Sequence, residues 1–137
     1  MLDLYEGVDL YPYCLAADPA TSRVYIRKGY TTELLIFRWD GLDLIPDGAL
    51  CDAGEIFAVV PPVGADGARL IAGRSRGRTL RVYSLPDHTL IGMHELPEGS
   101  RLNGIASDPS GAAIAIVDID YGGIHVVAWP IEPLTRP

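Results

Sequence analysis

The chain has 137 residues, enough for one domain, with 48% hydrophobic and 21% charged residues, the balance of a globular protein. Eleven basic residues against eighteen acidic ones give a net charge of −7, which argues against nucleic acid and anionic membranes as main partners. Two cysteines are too few for a disulfide framework, and no apolar run is long enough to span a bilayer.

Fifteen Gly and eleven Pro leave Tyr30 to Asp40 as the longest stretch without a breaker, so helices have almost no room. The uninterrupted stretches are rich in Val, Ile, Thr and aromatic residues, which suit strands. In chain order, Leu2 to Tyr5 reads as a first strand; the start lacks the basic and apolar regions of a secretory signal. Four strands follow over Tyr13–Ala17, Arg23–Arg27, Leu34–Trp39 and Leu42–Ile45. Asp47-Gly48 reads as the turn that ends this group. Phe57–Val60, Arg69–Gly73, Thr79–Leu85 and Thr89–Leu96 make a second group. Asn103–Ser107, Ala112–Ile119 and Ile124–Trp129 make a third, which runs out into Pro130, Pro133 and Pro137.

The groups repeat. Tyr13-Cys14-Leu15-Ala16-Ala17-Asp18-Pro19 is answered ninety residues on by Asn103-Gly104-Ile105-Ala106-Ser107-Asp108-Pro109. Ile36-Phe37-Arg38-Trp39 is answered by Val82-Tyr83-Ser84-Leu85 and then by Val126-Val127-Ala128-Trp129. Val24-Tyr25-Ile26, Leu70-Ile71-Ala72 and Ile114-Ala115-Ile116 form a third landmark in the same order. A period of about 45 residues with four strands is the size of one propeller blade. Leu2-Asp3-Leu4-Tyr5-Glu6-Gly7 matches Leu42-Asp43-Leu44-Ile45, a fourth strand, so residues 1–7 read as the outer strand that the last unit lacks.

The stretch Leu34 to Leu42, with Trp39-Asp40 and with Ala17-Asp18-Pro19 upstream, resembles the repeats of YVTN/lactonase-type and WD-repeat propellers. The resemblance implies an all-β chain of three four-stranded propeller blades. Its parts are a closing strand in 1–7, a first blade in 8–48, a second in 49–99 and a third in 100–137. Propellers have four to eight blades, so the expectation is a homodimer whose two chains close one six-bladed ring. The Met start and Pro-rich finish lead to the expectation of a short complete chain; the alternative is a fragment of a longer propeller. The rival architecture is an immunoglobulin-type sandwich, which would not require the repeat.

The chemistry-bearing residues are sparse. Asp118 and Asp120, ahead of Gly122-Gly123, offer two carboxylates on one loop; the alternative is a solvated turn. The same turn in the second unit holds Arg74, Arg76 and Arg78, which with Arg69 and Arg81 read as one basic cluster; it suits an anion or an acidic partner, and pairing with the acidic excess between subunits, or solubility, is the plainer reading. Trp39 and Trp129 stand at equivalent positions and, with Tyr30, suit sugar stacking; shared core packing is the plainer reading. His88 reads as a turn residue, and His94 and His125 as strand residues. No metal-ligand spacing, phosphate-cradling glycine loop or nucleophile elbow occurs, so no catalytic residue, metal or cofactor is expected. Cys14 and Cys51 lie in buried-looking segments and are expected to be reduced, as in a cytoplasmic protein. The expected function is a non-catalytic interaction or ligand-binding scaffold for a protein or a small molecule. The alternatives are a lactonase-like or other hydrolase, and a lectin-like sugar binder.

Overall fold

The computed structural model describes residues 10–28, 31–62, 67–111, 113–118 and 123–128, and among them the chain is all-β, with eleven strands and no helix. The strands are β1 (Leu10–Asp18), β2 (Arg23–Lys28), β3 (Leu34–Asp40), β4 (Asp43–Leu50), β5 (Ile56–Val60), β6 (Arg69–Gly73), β7 (Thr79–Ser84), β8 (Leu90–Glu95), β9 (Leu102–Ser107), β10 (Ala113–Asp118) and β11 (Gly123–Ala128). They form three antiparallel meanders, ordered β1-β2-β3-β4, β5-β6-β7-β8 and β11-β10-β9. Every strand expected between residues 13 and 129 is present, with ends moved by a few residues. The expected closing strand in 1–7 lies outside the described residues. The chain divides into a unit of residues 1–55, holding the first sheet, and a unit of residues 56–137, holding the other two.

In the first unit, the β1–β2 turn is built by Asp18. Its buried carboxylate accepts hydrogen bonds from the Ala20 amide at 3.2 Å and from the Thr21 hydroxyl. Such a side chain mimics a backbone turn. Asp108 repeats the arrangement between β9 and β10, accepting from the amide and hydroxyl of Ser110. The recurring Asp-Pro pair is therefore the same local turn used twice.

One expectation needs correction. Asp47-Gly48 is not a turn, because β4 continues through it to Leu50. Ile36 pairs with Gly48 and Phe37 with Pro46, leaving Asp47 as the extra residue of a bulge. Gly48 takes a φ of 139°, and Pro46 is tolerated because an edge strand leaves one side without ladder partners. In the second unit the bulge recurs: Val82 pairs with Gly92 and Tyr83 with Leu90, leaving Ile91 as the extra residue. Other details repeat at the same offset. Trp39 donates its amide to Ser22 at 2.7 Å, and Leu85 donates to Ala68 at 3.1 Å. Leu34, Ile36 and Phe37 are buried in β3, as are Leu80, Val82 and Tyr83 in β7.

Within the second unit the two sheets share a core. Ile71, Leu80 and Val82 of one pack with Leu102, Ile114 and Ile116 of the other. Each such side chain contributes about 1.5–3 kcal/mol by leaving water. At Gly73 the backbone comes so close that an added Cβ would lie 2.6 Å from Leu102 Cδ2 and 2.9 Å from the Thr79 carbonyl oxygen.

Candidate functional site

The best-defined group of functional side chains lies at one end of the second unit, on the connection between β6 and β7. Gly77 donates its amide to the Arg74 carbonyl at 2.9 Å, which closes the turn. Arg76 holds a φ of 65°, left-handed for a residue with a side chain. The turn is then fixed to the next sheet. The Arg76 amide donates to the Leu102 carbonyl at 2.7 Å, and the Leu102 amide donates to the Gly77 carbonyl at 3.0 Å. On the other side, Leu96 donates its amide to the Arg78 carbonyl at 2.7 Å. The Arg78 Nε donates to the Leu96 carbonyl at 3.2 Å, and its terminal nitrogen stands 3.4 Å from Glu95. A net contribution of about 0.5–1.5 kcal/mol is typical of one such bond, so these five give the turn a defined shape.

Arg74, Arg76 and Arg78 are all exposed on this turn. The backbone bonds to Leu102 bring a fourth arginine beside them, the exposed Arg101. Sequence reasoning missed Arg101 because it is far along the chain from the turn; only the pairing at Leu102 unites them. Asp118 reaches the same end by its backbone, which is in register with Leu102 across the β9–β10 ladder. Asp120 and Trp129 lie outside the described residues. The expected five-arginine cluster is corrected: Arg69 opens β6 opposite Ser84 while the turn follows Gly73, so the strand separates them. Arg69 is instead bonded to the Gly67 carbonyl at 2.9 Å. Arg81 stands mid-strand, paired with Ala72 and Met93. What the turn presents chemically is several planar forks of N–H donors on a fixed backbone, suited to carboxylate or phosphate oxygens.

Two further readings change. Trp39 is not a core residue: 55% of its surface is exposed, and its indole N–H donates to the Gly41 carbonyl at 2.9 Å. Its counterpart Leu85 is buried, so the position has no shared packing role. Cys51 is exposed and free, in the turn that follows β4, where Asp52 takes a φ of 56°. Among the histidines, His88 occupies a left-handed turn position, φ 60°, as expected of a turn residue. Its neighbour Asp87 has its pKa lowered by a backbone hydrogen bond and by the hydroxyls of Ser84 and Thr89. His94 pairs with Leu80 within the sheet, and burial lowers the pKa of its imidazole. Among the described residues no three His, Cys, Asp or Glu side chains come together as metal ligands. No helix there is long and apolar enough to cross a membrane.

No family model matches the chain, and no curated protein matches it significantly. Solved structures do resemble it. Hydrazine synthase from Kuenenia stuttgartiensis superposes with a TM-score of 0.61 at 16% identity, over 84% of this chain and 32% of that one. A chain in the structure of ctPRC2 in complex with H3K27me3 and H3K27M gives a TM-score of 0.60 at 17% identity, over 88% of this chain and 26% of that one. The chain thus spans about a third and a quarter of these neighbours, and what it shares with them is the fold.

Proposed function

We propose that the chain is a non-catalytic β-propeller scaffold, three blades per copy, that binds its partners through loops at the sheet ends. The observation that carries this reading is the recurrence of one meander in two sheets. The bulge, the amide bond beyond it and the burial pattern of the third strand all fall at matching positions. Blades are repeats of this kind, and their loops vary while the strands do not. The closing strand in 1–7 completes the third blade beside β11, and a second copy brings the blade count to six. Such a protein suits a reducing, cytoplasmic setting, as the free thiol of Cys51 does.

Light scattering coupled to size exclusion tests the assembly. The expected mass is twice the 14.8 kDa of one chain. Deleting residues 1–7 is expected to yield monomer or aggregate, through an open sheet edge. A well-behaved monomer of the full chain, or a dimer untouched by the deletion, would overturn the dimeric ring.

A further inference from the structure

We propose that the side of the first sheet carrying Val24 and Ile26 receives the third sheet of a second copy, so that each copy gives and receives one such contact. The proposal rests on the dimeric reading above and adds which surfaces meet. Directly paired residues share a side of a sheet, and neighbours along a strand alternate between sides. Tyr25, Ile71 and Ala115 hold one register position in the three sheets, each paired with an alanine of the innermost strand, Ala16, Ala58 or Ala106. Within the second unit, the Ile71 side of one sheet, with Leu80 and Val82, packs onto the Ile114 side of the other, with Ile105 and Ile116. Unlike sides therefore meet, one giving and one receiving.

The same register maps Ile105, Ile114 and Ile116 onto Leu15, Val24 and Ile26. Ile114 and Ile116 are 1% exposed, whereas Val24 and Ile26 are half-buried and Leu15 is 57% exposed. Half-buried Leu35 and exposed Trp39 extend this receiving side, on which Phe37 alone among the described residues is buried. Its charge, Lys28 at the end of β2, is held by Glu33 at 3.4 Å. On the opposite side of the sheet Tyr25, Leu34 and Ile36 are buried. The third sheet is the converse. Its Ile114 side is buried, while on its giving side Ala106 is exposed and Ala115 half-buried, where Ala58 and Ile71 of the second sheet are buried. One copy thus leaves a receiving side and a giving side uncovered, both apolar. A second copy supplies the complement of each, and two equal contacts about a two-fold axis close on themselves. A partner of another kind would answer one of the two sides and leave the other in water.

Sedimentation equilibrium of the full chain over a dilution series tests it. The variants are Leu15→Glu on the receiving side, Ala106→Glu on the giving side and, as control, Met93→Glu on β8; all three positions are exposed in the single chain. A carboxylate trapped at an apolar contact is costly, so each of the first two is expected to raise the dimer dissociation constant about tenfold or more. The control is expected to stay within about twofold, as at ordinary surfaces. Mixing Leu15→Glu with Ala106→Glu is expected to restore dimer beyond either variant alone, because a mixed pair keeps one unaltered contact. That arm also shows that both variants fold, and a mixture that recovers no dimer would overturn the proposal. A dimer that neither variant weakens would overturn this assignment and leave the dimeric reading standing, whereas a full chain that stays monomeric would overturn both. Weakening by Leu15→Glu with none by Ala106→Glu would mean that like sides meet, which overturns it as well.

Discussion

The central strands β2 and β6 hold the same place in two sheets of the same design, yet their surroundings differ. In β6, Leu70, Ile71, Ala72 and Gly73 are all buried; in β2 only Tyr25 is. The packed sheet of β9, β10 and β11 accounts for the face of β6 that carries Ile71. The repeat therefore fixes a backbone, while the neighbours of each copy set what each side chain contributes. Arg27 and Gly73 show this at one matched position. Both pair with the first buried leucine of the next strand, Leu34 or Leu80. In the first sheet the site carries a long cationic side chain bonded to the Thr31 carbonyl. In the second sheet Leu102 occupies that space.

The largest expected effect breaks the comparison at the shared core. Ile71→Ala is expected to cost about 2–5 kcal/mol in urea unfolding, as for buried isoleucines generally. A loss below the ordinary surface range would mean that the second and third sheets do not pack through it. Next, Gly73→Ala is expected to cost about 1–3 kcal/mol by overpacking against Leu102 and the Thr79 carbonyl. Arg27→Ala is expected to stay within about 0.5 kcal/mol, as on ordinary surfaces. Equal costs at the two sites, read from chemical denaturation, would show that the difference between the sheets has no energetic content.

The two Asp-Pro turns sharpen the same point. Asp18 is buried and Asp108 exposed, though both accept hydrogen bonds two residues ahead. Asp18→Ala is expected to cost about 1–3 kcal/mol, because it removes the buried carboxylate that ties the Ala20 amide and the Thr21 hydroxyl into the turn. Asp108→Ala is expected to cost less than about 1 kcal/mol, since water replaces the carboxylate. Thermal melts of the two variants side by side decide it, and the reverse order would count against the burial argument.

The smallest effect at neutral pH concerns Tyr25, matched by Ile71 in the second unit. Burial raises the pKa of the Tyr25 phenol; Asp18 and Asp47 add to the rise and Arg23 opposes it. A pKa raised in the folded state means that the unfolded chain ionises first. Its contribution is thus complete below about pH 10 and is lost as the pH climbs above that value. Tyr25→Phe is expected to flatten the loss of stability between pH 9.5 and 11.5. An identical alkaline profile for the variant and the parent would contradict the assignment.

Strand positions were legible because local chemistry repeats with the backbone. Asp18 and Asp108 build the same turn from neighbours two residues away, and the apolar triplets around Tyr25, Ile71 and Ala115 mark the second strand of each sheet. The bulges were not legible, since Gly48 and Gly92 look like any chain breaker until register is known. Trp39 matched Trp129 in sequence, but the β3–β4 ladder that carries it runs on past the bulge to Asp40, and there its ring meets water. Arg101 joined the candidate site through a pairing between strands that no local pattern records. The basic turn itself was visible because its arginines are contiguous, whereas Arg69 looked close only along the chain.

The paired bulges also act as phase marks for the length of the chain. Beyond the first, the ladder runs on through Arg38, Trp39 and Asp40 to a tight tip at Gly41 and Leu42; beyond the second, it ends almost at once, near Ser84 and Thr89. Differences in length are thus absorbed at the tips while the buried register holds. Leu42 is 89% exposed, and a Cβ on Gly41 would meet nothing within 4 Å, so this tip is the natural graft point for a foreign epitope or tag.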